Sequence, residues 1–364
     1  MSGSILEVRG LKVSRGGFPV LDIPELDIQE GEFLSLIGPN GTGKSTLLLS
    51  LAGLLKRDKG EIRFHGKPVE SSAELLDYRR RLAMVFQEPL LFDATVYDNV
   101  AAGLKLRGMG RGAIRPVVEE NLRLFGIAHL ASRSASKISG GEAQRTSLAR
   151  AFATSPELIL LDEPFASLDP PTKESIIADL GNAMRIRRTT ALMTTHDRMD
   201  ALRLSNRIAV MDKGGIVQIG LPIEVMHKPV SESVAQFVGV ETILEGRVRG
   251  MARGALHVDV GGRDVFGTGD SGPGEEVLCF IRPESVTLHP EGAKMDSSAR
   301  NVCSGTVTKV QPIGLLYRVC IDCGFSLSAH VTQQATEDLK LAAGAVVQAS
   351  FKASSVHVVR KPKA

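Results

Sequence analysis

The chain has 364 residues, 43% of them apolar and 23% charged, with a formal net charge of +3. This is the composition of a folded chain long enough for two or more domains, and so small a net charge gives no argument for nucleic acid as a partner. No apolar run approaches the ~18 residues of a membrane span. No basic segment followed by an apolar core marks a secretory signal, so any membrane association is expected to run through a partner protein.

The first strong signal is the run 33–37, Phe-Leu-Ser-Leu-Ile, apolar enough for a buried strand. It feeds Gly38-Pro-Asn40-Gly41-Thr-Gly43-Lys44-Ser45-Thr46 and then a helical stretch over 47–53. Strand, glycine loop and helix are the context of a phosphate-binding loop. The glycines turn backbone N–H groups around phosphate oxygens, and the helix N-terminus adds partial positive charge. Gly38, Asn40, Gly41, Gly43 and Thr46 form the cradle of a nucleoside triphosphate. Lys44 reaches the β- and γ-phosphates, and Ser45 holds Mg²⁺.

A strand over 82–86 ends at Gln87. Residues 95–138 lack a strong strand and read as helical pieces broken by the glycine-rich 107–112, so a helical insertion is expected over about 95–150. Within it Ser139-Gly140-Gly141 opens a helix. The apolar run 158–161 then ends in Asp162-Glu163-Pro164. A carboxylate at that strand end supplies the second Mg²⁺ ligand, and Glu163 stands where a base polarises an attacking water. Ser167-Leu168-Asp169 precedes a helix over 171–185 with Pro170 and Pro171 at its start. A strand over 190–194 leads to His196 and a helix over 197–204. Strands alternating with helices predict an α/β fold with a mainly parallel sheet covered on both faces.

Past residue 240 the texture changes to short alternating runs between glycines and polar turns, as at 243–248, 255–260 and 276–281, which is the pattern of small β barrels. Residues 243–248 and 302–307 share apolar-apolar-x-Gly-x-Val, which suggests two related β units. The polar stretch 290–298 is the expected joint. All four cysteines lie in this half, and Cys320-Ile-Asp-Cys323 is expected to be a pair of reduced strand thiols rather than a redox or zinc motif.

Lys137-Ile-Ser139-Gly140-Gly141-Glu142 resembles the signature of the ATP-binding-cassette (ABC) ATPases, which is close to Leu-Ser-Gly-Gly-Gln. The resemblance covers residues 5–240. It implies a P-loop ATPase with a helical subdomain that works as a homodimer, the signature of each chain closing on ATP held by the other. It implies further that Gln87 senses Mg²⁺ or the γ-phosphate, that Asp169 links the two sites, and that His196 contacts the γ-phosphate. The aromatic that stacks on adenine in this family has Arg15 in its place here, with Phe18 as the rival.

A single cassette followed by small β units resembles the import ATPases with C-terminal regulatory barrels, OB-like in fold. These imply permease subunits in the membrane and an extracytoplasmic substrate-binding protein, with the ATPase peripheral on the cytoplasmic face. Residues 297–301, Gly305 and 351–356 resemble molybdate-binding barrels (molbindin-like). That likeness implies molybdate or tungstate as cargo and as regulatory ligand, held by Ser298, Arg300, Lys352 and Ser354. Expected domains are therefore 1–240, 241–296 and 297–364. The alternatives are import of sulfate, iron, polyamine or sugar, and, in another class, an intracellular oxyanion store with an idle cassette.

Overall fold

The computed structural model describes residues 3–293 and 298–362, and the chain divides into two compact units, Met1–Val225 and Met226–Ala364. The first opens with a long hairpin, β1 (Ser4–Arg15) and β2 (Phe18–Gln29), followed by β3 (Phe33–Ile37) and α1 (Lys44–Leu51). β4 (Lys59–Phe64), β5 (Lys67–Pro68), α2 (Ser72–Arg80) and β6 (Leu82–Val85) come next. Three helices follow, α3 (Val96–Leu106), α4 (Arg111–Leu124) and α5 (Gly140–Ala153). The unit continues through β7 (Leu158–Asp162), α6 (Pro170–Arg187), β8 (Thr190–Thr195), α7 (Arg198–Leu204), β9 (Arg207–Asp212) and β10 (Gly215–Gly220).

The central sheet has the order β10-β9-β3-β8-β7-β6, parallel except for β10 at its edge. Its strands read as unbroken apolar runs because both faces are covered. Side chains alternate between faces along a strand. Leu158 and Leu160 therefore join a core with the antiparallel sheet β2-β1-β4-β5, while Ile159 and Leu161 join a core with the helices. Leu192 and Met193 divide the same way.

The expected helical insertion is α3, α4 and α5, which bury Val100, Leu104, Val118, Leu122, Leu148 and Phe152 together. The glycine-rich break between α3 and α4 has Gly108 in the left-handed region at φ 75° and Gly110 as the N-cap of α4.

The division between units falls within α8 (Pro222–His227), ahead of residue 240. The second unit continues with α9 (Glu232–Phe237), β11 (Thr242–Ala252), β12 (Ala255–Val260), β13 (Arg263–Gly269), β14 (Glu276–Ile281) and β15 (Thr287–Pro290). After the undescribed 294–297 come β16 (Asn301–Ile313), β17 (Leu316–Asp322), β18 (Ser326–Thr332), α10 (Gln333–Asp338), β19 (Val346–Phe351) and β20 (Val356–Arg360).

The two β units are not consecutive along the chain. A closed barrel runs β11-β12-β13-β20-β14, and a second sheet runs β15-β19-β16-β17-β18. β14 crosses into the second sheet through a 3₁₀ turn at Pro283–Ser285, and β19 crosses back through one at Ala353–Ser355. A division at residue 296/297 would thus cut through strands that each sheet lends the other. One core spans both, joining Val258, Cys279 and Val358 to Val319, Leu327 and Phe351.

The repeated glycine has a steric cause. A Cβ on Gly246 would meet Val258 Cγ1 at 2.5 Å, and one on Gly305 would meet Cys323 Sγ at 2.6 Å. The thiols are all free, with Cys320 in β17 and Cys323 just past its end. Cys323 lies 3.1 Å from Cys303, sulfur to sulfur, and that contact with burial pushes the Cys323 thiol up.

Two outcomes follow. A chain ending at Ser355 lacks β20, which pairs with both β13 and β14. Its barrel should be open, and trypsin should cut within 241–281 while the first unit resists. In β20, burial, then the Lys228 ammonium, hold His357 below its ordinary value of 6.5. The folded chain binds that proton less readily than the unfolded one. Its stabilising contribution is therefore present above pH 6.5 and is lost as pH falls through the depressed value. Denaturant midpoints for the second unit should fall on acidification, and His357→Asn should flatten that fall.

Candidate functional site

The parallel register sets the residues singled out in the sequence in a row. Ile37 pairs with Thr195, Asp162 with Thr194 and Val85 with Leu161. The phosphate loop, His196, the Asp162-Glu163 pair and Gln87 therefore leave the carboxyl ends of four adjacent strands, where ligands of open α/β sheets bind.

The loop residues fit a phosphate chain. Gly38, Gly41 and Gly43 have φ of 153°, 81° and 99°. A Cβ on Gly38 would meet the Met211 carbonyl oxygen at 2.2 Å, and one on Gly43 would meet Leu21 Cδ2 at 2.7 Å. Gly43 is the N-cap of α1 and supplies no side-chain cap, so the first N–H groups are left for an anion. Asn40 and Gly41 are exposed at the loop crest, and Thr46 is buried in the first helical turn. Lys44 is buried and its ammonium donates to the carbonyls of Gly38 (2.9 Å) and Pro39 (3.0 Å). Burial lowers its pKa against the opposing pull of Glu163 and Asp162.

Ser45 Oγ donates to Asp162 Oδ1 at 3.0 Å, which gathers hard oxygen donors suited to Mg²⁺. Thr194 Oγ1 donates to the same oxygen at 2.7 Å and accepts from the Glu163 N–H at 3.0 Å. Glu163 takes a left-handed backbone, φ 44°, and its Oε2 lies 2.8 Å from His196 Nδ1. Such a conformation costs about 1–3 kcal/mol and persists only where surrounding bonds fix it. Thr194 supplies that fixing. A fully buried threonine at the end of an apolar strand is the signal that could have marked it.

Ser139 caps α5 in a reciprocal box. Its Oγ accepts from Glu142 N–H at 3.3 Å, and the Glu142 carboxylate accepts from Ser139 N–H at 2.7 Å. Glu142, which stands where the resembled signature has Gln, is thus the capping partner of Ser139. Gly140 faces open space, and a Cβ on Gly141 would meet Thr172 Cγ2 at 2.5 Å. Asp169 caps α6 by accepting from Thr172 N–H at 3.2 Å. Gln144 on α5 donates to the Pro164 carbonyl at 2.8 Å and so joins α5 to the segment that follows Asp162 and Glu163, a tie that the spacing of motifs did not reveal. Arg15 and Phe18 are register partners across the Gly16-Gly17 turn, and Phe18 is exposed.

A groove of about 680 Å³ lies between α2, β6 and α3, with Leu76, Leu90, Phe92 and Leu106 exposed along it. Arg79, Arg80, Arg107 and Arg150 also line it, and none forms an ion pair among the described residues. Arg107 and Arg150 donate to carbonyls instead, and Arg150 also lies over the Phe92 ring.

In the second unit, Asn301 pairs with Phe351 where β16 meets β19. Ser298 and Arg300 precede that pair along the chain, while Lys352 follows it and Ser354 lies in the 3₁₀ turn at Ala353–Ser355. All four are exposed. Arg300 donates to the Ala252 carbonyl at 3.2 Å, and neither cation has a carboxylate partner among the described residues. Ser297 lies outside the described residues.

The ABC transporter family profile matches residues 21–166, and the TOBE domain profile matches 297–358. The molybdate/tungstate import ATP-binding protein WtpC of Pyrococcus horikoshii is 37% identical, over 97% of this chain and 99% of its own. The spermidine/putrescine import ATP-binding protein PotA of Spiroplasma citri is 33% identical over 99% of each chain. Among solved structures, cbiO1 of Clostridium perfringens, part of the ABC transporter complex cbiONQ, superposes with a TM-score of 0.58 at 31% identity, covering 65% of this chain and 94% of that one. With its phosphate loop, strand-end carboxylates and signature helix in the order such ATPases require, this chain belongs to the ATP-hydrolysing subunits of ABC importers.

Proposed function

We propose that the chain hydrolyses ATP to drive uptake of molybdate or tungstate, and that the same oxyanions regulate it through the second unit. The observation that carries the enzymatic part is the row of strand ends from Lys44 to Glu163. Lys44 and the loop N–H groups hold the phosphates. Ser45, Asp162 and Gln87 would hold Mg²⁺, which would supply positive charge to offset that of the phosphates. Glu163 takes a proton from the attacking water, with His196 against its carboxylate and toward the γ-phosphate. Arg15 offers a guanidinium plane to adenine, with Phe18 beside it.

Ser139, Gly140 and Gly141 act on ATP bound by a second copy, which makes the working form a homodimer, and Asp169 stands beside them at the start of α6. The arginine-lined apolar groove supports docking of a permease segment that carries both apolar side chains and carboxylates. That contact would hold the subunit peripherally at the cytoplasmic face. An extracytoplasmic binding protein would deliver cargo to the same permease.

For the cargo, the support is that Arg300 and Lys352 adjoin the paired Asn301 and Phe351, with Ser298 and Ser354 two residues further along the chain from each. Two cations without carboxylates, with hydroxyls beside them, suit a tetrahedral dianion and repel a polyamine. The relative named for spermidine and putrescine keeps the polyamine reading open to test, and the charge of this cluster opposes it.

Glu163→Gln should lower kcat about 10²- to 10⁴-fold with ATP affinity kept. With ATP it should elute as a dimer by size exclusion. Equal turnover in variant and wild type would remove Glu163 as base. The full chain should bind molybdate and tungstate by calorimetry, and Lys352→Gln with Arg300→Gln should abolish binding. The full chain is required because β20 closes the barrel and β15 belongs to the second sheet. Heat on addition of spermidine and none with either oxyanion would overturn the cargo.

A further inference from the structure

Beside the row of strand ends lies a cavity of about 90 Å³ whose lining includes Glu163, His196 and Lys173. Lys173 stands in the first turn of α6, the helix that Asp169 caps. Its ammonium donates to Asp197 Oδ2 at 2.5 Å and lies 2.8 Å from Asp200 Oδ1. Asp197 directly follows His196. Its N–H donates to Thr195 Oγ1 at 3.0 Å, and its carboxylate caps α7 by accepting from Met199 N–H at 2.8 Å. Asp200, one turn along α7, is only 3% exposed. A carboxylate so buried stays charged only against a cation.

The charge states agree with this geometry. Burial works against the charge on Lys173, but the bonds to the two aspartates outweigh it and hold Lys173 above its ordinary range. Burial pushes Asp200 up, against the pull of Lys173. The His196 side chain is 52% exposed, so packing does not fix its ring. What fixes it is the bond to Glu163 on one side and the backbone that Asp197 anchors on the other.

We propose that Lys173 is a positioning residue for ATP hydrolysis. By tying Asp197 and Asp200 to the helix that starts at Asp169, it sets where His196 meets Glu163 and the γ-phosphate. Lys173 makes no contact with nucleotide in this role. The proposal rests on the reading of His196 as a nucleotide-contacting group.

The test is steady-state ATPase of the full chain as Lys173→Met, Lys173→Arg, His196→Ala and the double variant Lys173→Met/His196→Ala. Misplacing a reacting group by about 1 Å costs about 100-fold, so Lys173→Met should lose about 10- to 100-fold in kcat with the KM for ATP little changed. Lys173→Arg should restore most of the rate. In the His196→Ala background, Lys173→Met should cost almost nothing more, because residues acting as one unit are not additive. If Lys173→Met proves too unstable, Asp197→Ala removes the bond next to His196, keeps the contact to Asp200, and must give the same kcat loss and the same non-additivity. Wild-type turnover in Lys173→Met, with His196→Ala slow, overturns the proposal alone. A loss that adds in full to that of His196→Ala also overturns it. Wild-type turnover in His196→Ala sinks both this proposal and the role of His196.

Discussion

The pairing of Asp162 with Thr194 across the two central strands is the contact on which the site depends. Thr194 spends its hydroxyl on both acidic residues at once, donating to the Asp162 carboxylate and accepting from the Glu163 N–H. That one oxygen orients the Asp162 carboxylate and stabilises the left-handed turn that aims that of Glu163. A slip of one residue in this register would turn every core side chain of β8 to the wrong face, so the burial of Ala191, Leu192 and Met193 protects the chemistry as well as the fold. The strain at Glu163 is local, and the apolar sheet beneath it is what makes the strain sustainable.

Much of the first unit was legible in the sequence because its chemistry is carried by residue types with few other uses. Glycines at Gly38, Gly41 and Gly43 are demanded by φ and by close backbone approach, and paired acids after four apolar residues mark a strand end. Ser139 with Glu142 three residues on reads as a helix start from the sequence alone. What was not legible depends on which strands lie side by side. Thr194, Gln144 and Lys173 look like ordinary polar residues along the chain. Their roles appear only when β8 lies next to β7, α5 reaches Pro164 and α6 lies beside α7.

In the second unit the same limit is sharper. The repeat was visible as a pair of glycines, yet the strand exchange was not, because alternation of apolar residues in β15 and β20 is satisfied equally well by either sheet. The two crossing turns are related in sequence, Arg282 preceding the first and Lys352 the second. They differ in what their cations do. Arg282 is engaged with the carbonyls of Val238 and Met226, a structural use. Lys352 is exposed and, like Arg300, has no carboxylate partner among the described residues, which favours the proposed anion. Of two turns alike in sequence, the first pairs its cation with Glu284, and the second leaves its cation without a carboxylate among the described residues.

The return of β20 to the barrel also sets the order in which the protein can be made. The first unit has all its strands once Gly220 has emerged, so it can fold while the rest is still being translated. The barrel cannot. Its β14 ends at Ile281, and the strand that joins β14 to β13 comes roughly 80 residues later. At ribosomal speeds of about 5–20 residues per second, four barrel strands wait some ~4–16 seconds with open edges. The barrel therefore closes only after β20 has been made, and the nascent chain holds a complete first unit before it holds a closed barrel.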